Sequence, residues 1–192
     1  MLWTMYPIQL EVAPTATRNR VTTLLRIFML IPHMIVLYLW GIAFFVVMVI
    51  QWFAIVFTGK RSQGLFEFQR KFVAYAANVG AYGYLLHDKF PAFGPDDPAS
   101  PVRFSARYDE TGNRLTTLLR YFTQIPAAII SGVIGFGAFL AALVSWFAIV
   151  FTGKQPQGLF DFITKSLRYA MQVGSYGYLM TDEYPWPKAA GF

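Results

Sequence analysis

The chain has 192 residues, of which 56% are hydrophobic and only 14% are charged, a composition too apolar for an ordinary soluble domain. A chain of this length cannot form a core large enough to bury two long apolar helices. The net charge of +6 suits loops on an anionic membrane surface, so we expect membrane lipids as partners and no nucleic acid. The absence of cysteine excludes disulfides, thiolate chemistry and haem attached through cysteine.

A short alternating segment opens each half of the chain. Apolar Ile8, Leu10 and Val12 alternate with polar residues, and the same pattern returns from Val102 to Ala106. A period of two residues predicts a short, half-buried strand in both places. Because an isolated pair of strands is marginal in water, we expect the two either to pair with each other or to lie against the helices.

A long apolar stretch follows each strand. Between Val21 and Phe57 the only charged residue is Arg26, and between Leu115 and Phe151 it is Arg120. One membrane span needs roughly 20 apolar residues, so each stretch exceeds one span without comfortably forming two. These stretches predict an integral membrane protein.

Proline and glycine subdivide each long stretch. Pro32 and its twin Pro126 remove a backbone donor within the helical pattern. In the first half we therefore predict a short interfacial helix over 20–31, capped by its Thr-Thr pair, and then a kinked span over 33–57. Gly59 lies just past the span, where glycine favours a C-terminal cap.

A second helix, rich in small residues, completes each half. Ala76 and Gly80 are four residues apart, and Ala170 and Gly174 repeat the pattern. Small residues at this spacing are typical of membrane helices that pack closely. These four residues are our candidate helix-packing positions.

The two halves are copies of one unit. The segment from Arg20 to Pro91 returns without gaps from Arg114 to Pro185, at a constant offset of 94 residues. A fixed period indicates duplicated structural modules. We predict a first membrane module over 1–91, a Pro- and Asp-rich linker over 92–101 and a second membrane module over 102–192.

Equivalent basic residues occur in both modules, so we expect both to be inserted the same way round. Two arrangements satisfy this expectation. Either both helices of each module cross the bilayer, or the long stretch is a re-entrant hairpin and the second helix lies on the surface. Parallel modules would be related by a pseudo-two-fold axis along the membrane normal.

Basic side chains near the ends of the predicted spans are candidate contacts for lipid headgroups. Their long stems can run along apolar surface while the charge reaches phosphate level. The candidates are Arg26, Lys60, Arg61, Arg120 and Lys154.

Few residues have a pattern that favours chemistry. His33 and His87 do not repeat, which favours structural roles over a paired metal or haem site. Asp88 and Asp182 do repeat, but a position at a helix end explains them more simply than acid–base work. We therefore predict no catalytic residues, no metal site, no cofactor and no enzymatic activity.

The combined pattern of the modules is specific. The block R-x-T-x-L-x-R…I-P…W-F-A-I-V-F-T-G-K…G-L-F-[DE]-F…Y-G-Y-L-[LM]-x-D-x-[FY]-P resembles an uncharacterised prokaryotic membrane family, domain of unknown function 4389. The resemblance covers nearly the whole chain, once per module. It implies a multi-span membrane protein with tandem modules, and it implies no activity.

Together these observations predict an all-α integral membrane protein of the prokaryotic inner (plasma) membrane, multi-pass, with two tandem pseudo-two-fold-related modules. Each module has a short extended lead-in, a long Pro-kinked apolar helix and a second small-residue-rich helix. We expect an accessory or scaffolding subunit that assembles with other membrane-protein subunits or with itself. The alternative is a transporter or lipid-handling protein with a pathway between the two repeats.

Overall fold

A computed structural model of the chain describes residues 6–14, 18–95 and 97–192. The described part is mostly helical, and the two modules have the same order of strand, long helix and short helix. The elements are β1 (Ile8–Val12), α1 (Arg20–Thr58), α2 (Gln63–Gly83), β2 (Val102–Ala106), α3 (Arg114–Thr152), α4 (Gln157–Gly177) and a terminal 3₁₀ helix (Pro187–Ala190).

The long helices α1 and α3 are each continuous over 39 residues. The separate interfacial helix predicted over 20–31 was therefore wrong, because α1 continues through Pro32. Pro32 lies on the exposed side of α1, and the neighbouring Met29 and His33 hold the helix against α2 through Tyr82 and Tyr75. This packing offsets the loss of one backbone donor. The kink at each proline stays a prediction.

Both long helices have equivalent caps. Asn19 and Asn113 are the N-caps, and their side chains accept backbone N–H groups of the first turn. The Thr-Thr pairs predicted to cap the helices lie further inside, and in α1 both threonine hydroxyls donate to the carbonyl of Asn19. At the other end, Gly59 and Gly153 have φ of 73° and 71°, a left-handed conformation that glycine adopts without strain. The predicted glycine cap is confirmed.

α1 and α3 lie side by side in opposite directions. The N–H of Arg18, just before α1, donates to the carbonyl of Gly153 at the end of α3 (3.0 Å). Reciprocally, the N–H of Gly112 donates to the carbonyl of Gly59 (2.9 Å). Each long helix therefore begins where the other ends. If both crossed a bilayer, they would cross it in opposite directions, which does not fit modules inserted the same way round as upright spans.

α2 and α4 form a second layer that lies between the long helices and the ribbon of β1 and β2. On one side, Phe72 of α2 stacks on Phe44 of α1, with ring centroids 4.4 Å apart. On the other side, α2 packs on β2 and α4 packs on β1. Arg168 of α4 donates to the carbonyl of Leu10 in β1 (2.9 Å). Nearly half of the residues of each short helix are buried.

The strands β1 and β2 pair in antiparallel register, with Ile8 opposite Ala106 and Leu10 opposite Phe104. The predicted strands are confirmed, and both expectations hold, since the strands pair with each other and also pack on helices. The pairing joins the lead-ins of the two modules, so the modules are interleaved. The linker boundaries at 92 and 101 stay a prediction.

Candidate functional site

An apolar face is formed by one side of α1 and one side of α3. Exposed apolar side chains recur every three or four residues along all of α1, from Val21 (63% exposed) to Phe57 (72%). The same holds along α3, from Leu115 (66%) to Phe151 (74%). We use the term apolar face for these exposed side chains of α1 and α3. Both helices are long and apolar enough to cross a membrane by length and composition.

Arg26 and Arg120, one turn or more inside the long helices, turn away from the apolar face. Arg26 Nη1 donates to the carbonyls of Tyr82 (2.6 Å) and His87 (3.0 Å), and Nη2 donates to Asp88 (2.6 Å). The guanidinium carbon lies 4.3 Å from the centre of the Tyr82 ring, a cation–π geometry. Arg26 therefore fixes the end of α2 against the first turns of α1.

The second module repeats this cluster at the start of α3. Arg120 donates to the carbonyls of Tyr176 and Thr181 and to the carboxylate of Asp182. Its guanidinium carbon lies 4.5 Å from the centre of the Tyr176 ring. Asp182 also accepts the N–H of Asn113 (3.0 Å), so one carboxylate fixes both the arginine and the helix cap.

Arg18 and Arg61 connect the two modules. Arg61 follows α1 in the first module, but it donates to the carbonyl of Leu179 (2.7 Å) and to Asp182 (3.2 Å) in the second. The residue equivalent to Arg61 is Gln155, and there the guanidinium comes from Arg18, which donates to the side chain of Gln155 (3.0 Å). Each end of the molecule therefore has two buried arginines beside one aspartate.

These clusters correct part of the predicted set of headgroup contacts. The side chains of Arg26, Arg61 and Arg120 are 3%, 1% and 2% exposed, and their Nη atoms donate to carbonyl and carboxylate oxygens. They are not available to lipid phosphate, because they face the neighbouring helix ends instead of the surface. Lys60 and Lys154 are exposed at the helix ends, and for them the contact stays a prediction.

The candidate packing residues have different surroundings. A Cβ at Gly80 would lie 3.6 Å from Leu167 of α4, so Gly80 lies at a contact between helices. A Cβ at Gly174 would instead meet Tyr178 of its own chain segment at 3.2 Å. Ala76 lines a groove between α1, α2 and α3. The packing role of Ala170 stays a prediction.

An open apolar groove of about 620 Å³ lies between α1, α2 and α3. Its walls include Leu30 and Met34 of α1, Gly83 of α2 and Phe139 of α3. Met34 and Phe139 are 59% and 56% exposed members of the apolar face, so the groove opens onto that face. The sequence does not predict this groove, because its walls come from three helices whose mutual arrangement the repeat does not reveal.

The two histidines lie in separate surroundings. His33 Nδ1 is 2.7 Å from the Tyr75 hydroxyl, and its ring stacks on Phe93 at 4.6 Å. His87 Nε2 lies 3.3 Å from the carbonyl oxygen of Asn78. Burial lowers the pKa of His87 to about 4, so this side chain is neutral at pH 7. Both histidines contribute to packing between elements.

Comparison with known proteins identifies the family. A family profile described as Domain of unknown function (DUF4389) matches residues 20–94 and again residues 114–189. No curated protein and no solved structure matches the chain. The two matches cover most of the chain and coincide with the two modules. The chain therefore belongs to the DUF4389 family and contains two tandem copies of its domain.

Proposed function

We propose that the protein is a non-enzymatic integral membrane protein of the prokaryotic plasma membrane that acts as an accessory or scaffolding subunit of a larger membrane assembly. This proposal rests on the observation that the protein has one apolar surface and one charged surface. The apolar face suits lipid, and the ribbon of β1 and β2 suits water or a protein partner. The reciprocal contacts at both ends of α1 and α3 support a pseudo-two-fold relation between the modules.

The exposed surface of the ribbon carries charges of both signs. Glu11 and Arg103 are exposed and lie opposite each other in the strand register. Arg107 and Glu183, 61% and 49% exposed, form an ion pair at 3.2 Å nearby. Exposed charges of both signs set the orientation and partner choice of an interface more than its affinity.

The buried polar groups support a structural role. The carboxylates of Asp88 and Asp182 accept hydrogen bonds from buried arginines and from the backbone N–H groups of the helix caps Asn19 and Asn113. The contacts of these two aspartates join helix ends. A subunit that organises neighbours needs this rigidity and needs no acid–base pair.

Extraction in a mild detergent followed by native mass analysis tests the proposal. We expect stoichiometric membrane-protein partners or a defined self-assembly. Charge reversal at Arg103 (Arg103→Glu) should weaken that assembly, whereas the same change at exposed Lys188, outside the ribbon, should not. A lone monomer that supports substrate-dependent flux in liposomes would overturn the proposal in favour of transport.

The groove favours a second candidate function, the binding of a lipid chain. Ala142 lines the groove, and its equivalent in the first module is the larger Met48. The variant Ala142→Phe should fill the groove and reduce the lipid retained by the purified protein, measured by native mass analysis. Met48→Phe is the matched control, because position 48 lies outside the groove. Equal lipid retention in both variants would remove this candidate.

A further inference from the structure

We infer that α1 and α3 lie flat within one leaflet of the bilayer and do not cross it. This inference rests on the proposed membrane location. In this orientation the apolar face contacts the acyl chains of one leaflet. The exposed surface of β1 and β2 then faces the water next to that leaflet.

The length of the helices is the first argument. At 39 residues each, α1 and α3 are about 58 Å long, whereas the hydrocarbon core of a bilayer is about 30 Å thick. The exposed apolar side chains continue from Val21 to Phe57 along α1 without a polar interruption that would mark a headgroup region. To fit this stretch across the core, α1 would need a tilt of about 60°, beyond the roughly 40° that spanning helices reach.

The one-sidedness of the long helices is the second argument. Their remaining sides pack on α2 and α4, which are covered in turn by the ribbon. If α1 and α3 crossed the bilayer, this ribbon would lie at hydrocarbon depth with Glu11 and Arg103 exposed. Each such charge costs about 3 kcal/mol at the centre of a bilayer, and open strand edges do not occur there. A flat orientation places the ribbon in water.

The size of the apolar face shows that something must cover it. Two parallel rods of this length and about 10 Å width present on the order of 1,000 Å² on one side. The largest apolar patch on a soluble monomer is usually about 300–600 Å². The face also extends along the full length of both helices.

Charge at the rim identifies a leaflet as the occupant. Arg20 and Arg114 are exposed at the starts of the two long helices, and Lys60 and Lys154 are exposed just past their ends. In a flat orientation all four lie at the edge of the apolar face, at headgroup level, where anionic lipids attract them. Lys60 also pairs with the exposed Glu110 (2.8 Å), so the positive charge at the ends of the apolar face comes mainly from Arg20, Arg114 and Lys154. This charge complements an anionic leaflet.

The flat orientation also explains how two modules with antiparallel long helices can be inserted the same way round. α1 and α3 are antiparallel, so an axis that exchanges them is perpendicular to both. When the helices lie in the membrane plane, this axis coincides with the membrane normal. Both modules are then inserted the same way round, as their matching basic residues indicate, although neither long helix crosses.

A depth measurement tests the inference. Because the chain has no cysteine, single nitroxide labels can be placed by Phe28→Cys, Leu39→Cys and Phe57→Cys in otherwise unchanged protein. In vesicles of phosphatidylcholine and phosphatidylglycerol, we expect all three labels at one depth to within about 5 Å, because an interfacial helix is immersed only about 5–10 Å. The equivalent labels at Phe122, Val133 and Phe151 provide a matched control and should give the same depth.

The alternatives give different results. Labels spread over about 30 Å in depth would overturn the flat orientation and leave the membrane location intact. Protein that does not float with vesicles, and forms a discrete dimer in detergent-free buffer with its labels protected, would overturn both. In that case a second copy of the chain covers the apolar face.

Discussion

At the scale of single residues, the repeated aspartates Asp88 and Asp182 stabilise the fold by pairing with buried arginines. Asp182 neutralises two guanidinium groups that are 1% and 2% exposed, those of Arg61 and Arg120. We expect Asp182→Asn to destabilise the protein by about 3–5 kcal/mol, because it leaves buried positive charge without a partner. Glu67→Gln is the control, since Glu67 pairs with Arg70 at the surface and should contribute less than about 1 kcal/mol.

Denaturant unfolding in a mild detergent measures both changes. If Asp182→Asn lowered the free energy of unfolding by no more than Glu67→Gln does, the buried clusters would not be what stabilises the helix ends.

His87 should make stability depend on pH. Its folded pKa is depressed from 6.5 to about 4, because it is buried next to Arg26 and Arg18. The unfolded chain then binds a proton that the folded protein does not, so stability is full above about pH 6.5 and falls as the pH drops toward 4. The loss over this window is about 3 kcal/mol. The second module has Thr181 at the equivalent position, so His87→Thr should keep the fold and remove this part of the pH dependence.

Thermal unfolding between pH 4 and pH 7 checks this expectation. An unchanged pH profile in the His87→Thr variant would contradict it.

The sequence identified these residues without revealing what they do. The repeat singled out Arg26 and Asp88, but position along the chain does not show which way a side chain points, so the arginine was assigned to lipid. Backbone conformation was equally hidden at the ends of α2 and α4. There Leu85 and Leu179 have φ of 64° and 66°, where glycine would be expected. Hydrogen bonds from buried arginines to the neighbouring carbonyls hold these turns, and no local pattern signals that.

At the scale of helices and strands, the glycine caps are the most sensitive local feature. A side chain at Gly59 is disfavoured both by its left-handed φ and by the guanidinium of Arg114, 3.2 Å from the position of a Cβ. We expect Gly59→Ala to cost about 1–2 kcal/mol. Gly64→Ala is the matched control, because Gly64 is helical with open space around it and alanine there should stabilise by about 0.5–1 kcal/mol.

The melting temperatures of the two variants in mild detergent should therefore move in opposite directions. If both melting temperatures moved in the same direction, the left-handed conformation of Gly59 would not be the cause of the effect of Gly59→Ala.

Local rules predicted the strands and the glycine caps, because both depend on patterns within a few residues. Local rules failed where packing between elements determines the structure. Pro32 interrupts the sequence pattern but not α1, since the adjacent turns are held by α2. The opposite directions of α1 and α3 were also beyond local rules, because a repeat shows that two units share a fold and does not show how the units pack.

At the scale of the whole molecule, the two modules share both a sheet and their buried charge clusters. The ribbon takes one strand from each module, and the clusters at both ends combine residues from both, such as Arg61 with Asp182. The composition predicts a membrane protein, but it does not predict which surface of the fold is apolar. That surface is defined only when α2, α4 and the ribbon cover the other sides of the long helices.

The central claim is that α1 and α3 rest flat in one leaflet with the rest of the molecule on one side. Labelling of Lys60→Cys, Lys154→Cys and Asp97→Cys with a membrane-impermeant maleimide in sealed vesicles tests this claim most directly. We expect the same accessible fraction at all three positions, rising together when the vesicles are opened. Lys60→Cys and Lys154→Cys on opposite sides would contradict it and establish antiparallel spans. Both on one side with Asp97→Cys on the other would contradict it in favour of modules that cross the bilayer twice.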